Sequence, residues 1–265
     1  MPLWLGNIRD NFWTDPTNVE AWDFTETSGP FKGLLNPART LDLVSGGAAH
    51  ERVAGLHGGA VKFNNGDFFR AAADAGWNAL ENAEGWLFYS YWVKHDPTIA
   101  TTFAMGVTHA SDTAKNQWAS DVSTANGVQL FDGSSSVNSP FIDSNDPATV
   151  GAWEHQVGGL YYDGSGTGTN LKLWVNGVEH TTIGGSLAVT PGFLGDYFRL
   201  GAGLNPAASN LSVCSLILWK SSTNPLSAQA VADLYNNGAG IPFVGGAGAG
   251  ANRGRGRGRA RASAL

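Results

Sequence analysis

Two alternating runs meet at an Asn-Gly pair in LKLWVNGVEHTT, residues 171–182, and this stretch constrains the fold more than any other. Asn176-Gly177 accepts the positive φ angles that a two-residue type I′ turn demands, so the flanking runs are predicted to be paired antiparallel strands. That register sets Val175 opposite Val178, Trp174 opposite Glu179 and Leu173 opposite His180. Side chains alternate between faces along a strand, so Trp174 and His180 point apart. The stretch therefore reads as sheet architecture, not as one site built from an aromatic and two polar groups.

Similar runs recur at 20–27, 59–72, 84–96, 127–133, 152–164, 196–203 and 211–221, separated by clusters of Gly, Asn, Asp, Ser and Pro. With 36 glycines and 10 tryptophans in 265 residues, the chain favours turns and flat aromatic side chains over helix bundles. Many short strands with turns between them predict an all-β, two-sheet antiparallel sandwich. One exception is PLSAQAVADLYNNGAG (225–240). Ser227 suits an N-cap, Val231, Leu234 and Tyr235 follow helical spacing, and Gly238 can end the helix left-handed. Trp22, Trp92, Trp153, Trp174 and Trp219 fall within strand patterns and are expected in the core. Trp77 and Trp118 stand in loop-like AGWNAL and NQWAS and are the candidate platforms for a sugar ring.

Composition divides the chain into an N-terminal arm (1–20), a body (21–244) and a Gly/Arg-rich tail (245–265). The arm carries Trp4, Phe12 and Trp13, which need cover from the body or from a neighbour. Its start lacks a basic stretch followed by an apolar run, so no signal peptide is expected, and no apolar stretch approaches the ~18 residues of a membrane span. The single cysteine, Cys214, excludes a disulfide within the chain and sits among apolar residues as an inert thiol. The net charge of −6 combines an acidic body, −11 over residues 1–252, with five arginines at 253, 255, 257, 259 and 261. In an extended chain Arg253, Arg255, Arg257, Arg259 and Arg261 could all face one side, which suits an acidic protein surface or a nucleic acid. The acidic body of a neighbouring copy in a homo-oligomer offers the same chemistry.

Taken in order, AWDFTETSG, GLHGGAVKFNNGDFF, GWLFYSYWVK, AWEHQVGGLYYDG, LKLWVNGVEHTT and LILWKSSTNPLSAQAVADLYNNG resemble the laminin-G-like group of the concanavalin A-like lectin/glucanase superfamily. These six segments span about residues 21–240. The resemblance implies a jelly-roll sandwich with one short C-terminal helix, a fold used to bind glycans or proteins. It also brings calcium into view, because relatives hold one at the sandwich rim. The loops at 64–68 and 143–147 offer oxygen ligands here, although Asp and Asn serve plain turns as readily. The expectation is no cofactor, with calcium the one alternative.

Glucanases of that superfamily carry two or three carboxylates at alternating positions of one strand. The nearest match is Glu20, Asp23 and Glu26, but Glu20 and Glu26 would stand roughly 20 Å apart on a strand, too far for either glycosidase geometry. They are expected to be solvated carboxylates at a strand edge. No Gly-x-Ser-x-Gly elbow, P-loop or His-Glu-x-x-His motif occurs, and His155 is expected to be an inner histidine with a partner. The predicted function is thus non-enzymatic. It is a lectin-like jelly roll anchored through its termini in a virion assembled in a host cytoplasm. Capsid decoration, head fibre and tail adhesin are the concrete versions, with capsid or tail proteins as partners and a surface glycan as ligand. The phage setting rests on the resemblance, since phage structural proteins borrow this fold. A free glycan-binding lectin is the alternative and a glycoside hydrolase the second.

Overall fold

The computed structural model describes residues 18–44, 51–63, 68–71, 84–95, 101–108, 116–123, 127–132, 141–144, 149–162, 168–184, 197–201, 211–221 and 226–240, with backbone alone for 101–132 and some strand ends. The strands begin with β1 (Asn18–Trp22), β2 (Phe31–Lys32), β3 (Thr40–Val44), β4 (Glu51–Ala54), β5 (Gly59–Lys62) and β6 (Phe68–Ala71). There follow β7 (Gly85–His95), β8 (Thr101–Thr108), β9 (Asn116–Ser123), β10 (Gly127–Asp132), β11 (Phe141–Asp143) and β12 (Trp153–Tyr162). The last are β13 (Gly168–Val175), β14 (Val178–His180), β15 (Thr182–Gly184), β16 (Tyr197–Leu200) and β17 (Leu211–Ser221), followed by helix α1 (Ala228–Tyr235).

Among the described residues these strands form two sheets, and every strand pair is antiparallel. The first runs β14-β13-β12-β7-β17-β5-β4, with β1 also on β17. The second runs β15-β11-β10-β9-β8-β16-β6-β3-β2. Among the described residues the protein is the two-sheet jelly-roll sandwich with one short α-helix that the sequence predicts.

The first sheet is built on β7, whose residues Gly85 to Val93 are all buried. Leu87, Tyr89, Tyr91 and Val93 enter the core between the sheets, with Trp22, Phe63, Phe69, Leu173, Phe198 and Leu218. Trp86 and Phe88 face the other way, with Trp174, Ile217 and Trp219, and are sealed by Ala230, Val231 and Leu234 of α1. Both faces of this strand are therefore covered, which is why GWLFYSYWVK is apolar almost throughout. Its neighbour β12 makes room through Gly158 and Gly159. A Cβ at Gly158 would lie 2.2 Å from the Tyr89 ring, and one at Gly159 would lie 2.4 Å from Phe88.

The hairpin follows the predicted register, with Leu173 opposite His180, Trp174 opposite Glu179 and Val175 opposite Val178. Asn176 (φ 51°) and Gly177 (φ 81°) supply the turn. In α1 the Ser227 side chain accepts from the Ala230 N–H as expected. The first left-handed residue is Asn236 (φ 46°), two positions before Gly238, because an amide side chain tolerates that conformation and its own N–H closes onto Ala232. The run at 59–72 divides between the sheets, β5 in the first and β6 in the second. The run at 20–27 ends at Trp22, and Phe24 turns the chain with φ 57°. β1 begins at Asn18, so the last three residues assigned to the arm lie in the first sheet. Trp22, Trp92, Trp174 and Trp219 are buried; Trp153 is only half-buried, its ring facing Lys94 at 5.3 Å. Among the described residues no helix is long and apolar enough to cross a membrane.

Candidate functional site

The groups that could serve acid–base chemistry are mostly committed to holding the fold. Glu20, expected at a solvated strand edge, is fully buried. Its Oε1 accepts from the backbone N–H groups of Ala21, Leu35 and Asn36, and its Oε2 lies 3.7 Å from Arg39. Alternation along β1 turns this carboxylate inward, against the loop that leads from β2 to β3. Burial raises its pKa, against the lowering effect of those N–H groups and of Arg39. Glu26 accepts from the Lys32 N–H, and Asp23 caps its own turn through Thr25.

His155 is the inner histidine the alternation predicts. It stands 2.8 Å from the Ser90 hydroxyl and packs against Trp92 (4.9 Å between ring centroids) and Tyr235 (6.1 Å). A Ser–His contact invites a nucleophilic reading, but burial drives this imidazole down to about 3, and its Nδ1 meets no carboxylate among the described residues. Without an orienting acid and without solvent access, the pair is structural. His95, also buried, is lowered to about 4, and the buried Cys214 thiol is raised to about 11. In the core, Tyr91 donates to Gln156 Oε1, and Gln156 Nε2 donates to Glu154 Oε1.

The second sheet differs. Phe198 and Leu200 of β16 are fully buried, so Arg199 between them is directed to the sheet's outer face. Arg199 pairs with Arg70 of β6 on one side and with Gly106 of β8 on the other, and Arg70 pairs with Asp42 of β3. Pairing continues from Gly106 to Ala119, Phe131, Phe141 and Gly184. One transverse row thus crosses eight strands: Gly184, Phe141, Phe131, Ala119, Gly106, Arg199, Arg70 and Asp42. Residues directly opposite in antiparallel strands share a face, so Arg70 and Asp42 lie on the same outer face as Arg199.

Within it, the Arg199 guanidinium lies 4.8 Å from the centroid of the Phe68 ring, and Asp42 accepts from the Thr40 hydroxyl at 2.8 Å. Arg199 is only 4% exposed; burial first and the Arg70 charge second push its pKa down. At the Asp42 end the row adjoins a cleft of about 440 Å³ lined by Ser28, Gly29, Pro30, Asp42, Leu43, Arg52 and Phe69. Arg52 braces one wall by donating to the carbonyls of Glu26 and Gly29 while covering the Phe31 ring.

Of the residues singled out in the sequence, Trp4, Phe12, Trp13, Trp77 and the tail residues Arg253, Arg255, Arg257, Arg259 and Arg261 lie outside the described residues. Trp118 lies within β9 rather than in a loop, its backbone paired with Val107 and Asp132. Most of the 64–68 and 143–147 loops is likewise outside, and the described residues contain no group of three or more His, Cys, Asp or Glu placed to hold a metal. Sequence reasoning missed Arg70 and Arg199. The available signal was Phe-Arg twice, in FFRA and YFRL, each placing one cation inside an apolar strand run.

No family model matches the chain, and no curated protein matches its sequence. Solved structures do match. A Trypanosoma rangeli sialidase mutant displaying trans-sialidase activity aligns over 86% of this chain with a TM-score of 0.62 and 14% identity. This chain spans only 34% of that sialidase. Domain 4 of AbnA, a GH43 extracellular arabinanase from Geobacillus stearothermophilus, solved with arabinotriose, aligns over 82% of this chain and 97% of its own length (TM-score 0.57, 18% identity). The binding domain of botulinum neurotoxin DC, solved with rat synaptotagmin II, aligns over 83% and 51% (TM-score 0.58, 9% identity). At such identities the likeness is one of fold alone.

Proposed function

We propose that the chain is a non-enzymatic binding module whose recognition surface is the outer face of the second sheet. The observation that carries this reading is the outer face of the second sheet, which α1 does not cover and where Asp42 is exposed and Arg70 and Phe68 are half-buried. Ligand sites pair a few fixed polar groups with apolar surface, as Arg70 and Asp42 do beside Phe68. Two of the similar folds support the reading, one solved with arabinotriose and the other with a protein partner. The structural duties of Glu20 and His155 argue against the glycoside hydrolase alternative. Retention on a glycan array without release of reducing sugar is the expected result. Release of reducing sugar, abolished by one carboxylate substitution, would refute the reading.

The setting we propose is a virion, where the module serves as capsid decoration, head fibre or tail adhesin. Its arm (Trp4, Phe12, Trp13) and its tail (Arg253 to Arg261) provide the anchorage. What supports this is the separation of charge, five alternating arginines on an otherwise acidic chain. The expected result is stable co-purification with a capsid or tail. A soluble monomer that binds glycans by itself would favour the free lectin instead.

A further inference from the structure

Two Asn-Gly pairs lie wholly among the described residues, Asn176-Gly177 and Asn237-Gly238. Both asparagines hold nearly the same left-handed backbone, with φ of 51° and 53°. Asn-Gly is also the dipeptide most open to spontaneous deamidation, because no side chain shields the glycine nitrogen. That nitrogen gives its proton to hydroxide and bonds to the asparagine Cγ. The side-chain nitrogen takes a proton from water and leaves as ammonia, closing a succinimide ring. Water then opens one of the two ring carbonyls, giving aspartate or, with the main chain rerouted through the side chain, isoaspartate. Water and hydroxide are the only co-reactants.

The attack requires the asparagine to leave its resting turn, so its rate depends on what resists that opening. Asn176 is tied on each side. Its Oδ1 accepts from the His155 N–H at 2.9 Å, and its own N–H donates to the His155 carbonyl at 2.8 Å. Val175 pairs with Val178 across the turn. Gly177 lies beneath the Tyr235 ring, where an added Cβ would stand 3.1 Å from Cδ1. Asn237 is exposed instead, within one turn of 3₁₀ helix (Asn236–Gly238) at the end of α1, and helix ends open first. No hydrogen bond holds its side chain among the described residues.

We propose that Asn237 is a deamidation site of the folded protein, and that the fold protects Asn176, the same dipeptide in the same conformation. The product disturbs the end of α1. Either acid places a negative charge at a helix C-terminus, where the macrodipole disfavours it. Isoaspartate also lengthens the main chain between Asn236 and Gly240, where there is little slack. The Gly240 N–H donates to the Tyr235 carbonyl, and the Gly240 carbonyl accepts from the Asn236 side chain. A Cβ added at Gly240 would lie 2.9 Å from His57 Nε2 and 3.0 Å from Trp92 Nε1. Modification therefore loosens the seat of Tyr235 over Trp92 and His155.

The test ages the full chain at mildly alkaline pH, folded in buffer and unfolded in concentrated urea. Peptide mapping by mass spectrometry reads amide-to-acid conversion at each asparagine, and methylation by an isoaspartyl methyltransferase counts isoaspartate. In the folded chain Asn237 should convert about tenfold or more faster than Asn176, whereas in urea the two rates should agree within about threefold. Equal rates in the folded chain overturn the proposal. So does an Asn237 that converts in urea but stays intact in the folded chain. Asn237→Gly keeps the left-handed turn, removes this site and leaves every other Asn-Gly pair in place. After ageing, the urea midpoint of wild type should fall below that of Asn237→Gly aged alongside it, from equal or higher values before. An unchanged difference between the two overturns the effect on α1.

Discussion

The two sheets of this sandwich share one core but have opposite outer faces. On the first sheet Trp86, Phe88, Trp174 and Trp219 are buried beneath Ala230, Val231 and Leu234 of α1. Trp86 stacks on Phe88 and Phe88 on Trp219, with ring centroids 5.5 and 5.4 Å apart. On the second sheet the described outer residues include Thr40, Asp42, Val44, Phe68, Arg70 and Arg199, of which Asp42 is exposed and Arg199 buried. The described outer face beneath α1 is committed to packing, whereas that of the second sheet carries charged side chains.

The strongest test of that division is truncation of one aromatic residue on each outer face. Trp219→Ala removes a fully buried ring that packs against α1 and Phe88, and should cost about 4–5 kcal/mol in urea unfolding. Phe68→Ala removes a half-buried ring whose described partner is Arg199, and should cost only about 1–2 kcal/mol. Equal losses would mean that the second sheet's outer face is sealed as well.

Next in size is acid sensitivity. Burial holds the folded His155 at about 3 against an ordinary 6.5, so the unfolded chain takes up its proton first. Its contribution is therefore fully present above pH 6.5 and is lost as pH falls toward 3. At ~1.4 kcal/mol per unit, roughly 3 kcal/mol should be gone by pH 4. In His155→Gln the acid limb should flatten, leaving mainly the share of His95, lowered to about 4. Wild type and variant with the same acid limb in stability measured from pH 7 to 4 would show that water reaches this face.

The same asymmetry explains what could be read from the sequence. β7, β12 and β17 are legible because burial on one or both faces selects long aromatic and branched runs, and the Asn-Gly turn pins the register of β13 and β14. In the second sheet, β8 (TTFAMGVT) and β9 (NQWASDVS) carry Thr, Ser, Ala and Gly without clear alternation, so Trp118 passed for a loop residue. β11 and β15, three residues each, are too short to show a period at all. The row of Arg199 and Arg70 was hidden for a different reason. It joins positions 42, 70, 106, 119, 131, 141, 184 and 199, which only strand order brings together. Glu20 was misjudged as a solvated carboxylate because the N–H groups that hold it in the interior, those of Leu35 and Asn36, lie 15 and 16 residues away in sequence.

Glu20 also supplies the smallest effect, and the one that tests how the two sheets are joined. It belongs to β1 of the first sheet, yet its Oε1 binds the N–H groups of Leu35 and Asn36 in the loop between β2 and β3 of the second. Gln at this position keeps an acceptor for those N–H groups and removes only the buried charge, so Glu20→Gln should alter stability at pH 7 by less than about 1 kcal/mol. Its mark is on the pH profile. The folded state raises the Glu20 pKa above 4.5, so folding favours the protonated form. That stabilisation is fully present below pH 4.5 and is lost as pH rises through the folded value. Wild type should therefore lose stability relative to Glu20→Gln as pH rises above 4.5, opposite in sign to the His155 effect. If the difference between the two proteins stays constant with pH, or grows in wild type's favour, the carboxylate is sustained by its N–H partners and Arg39, and burial is not what governs the joint between the sheets.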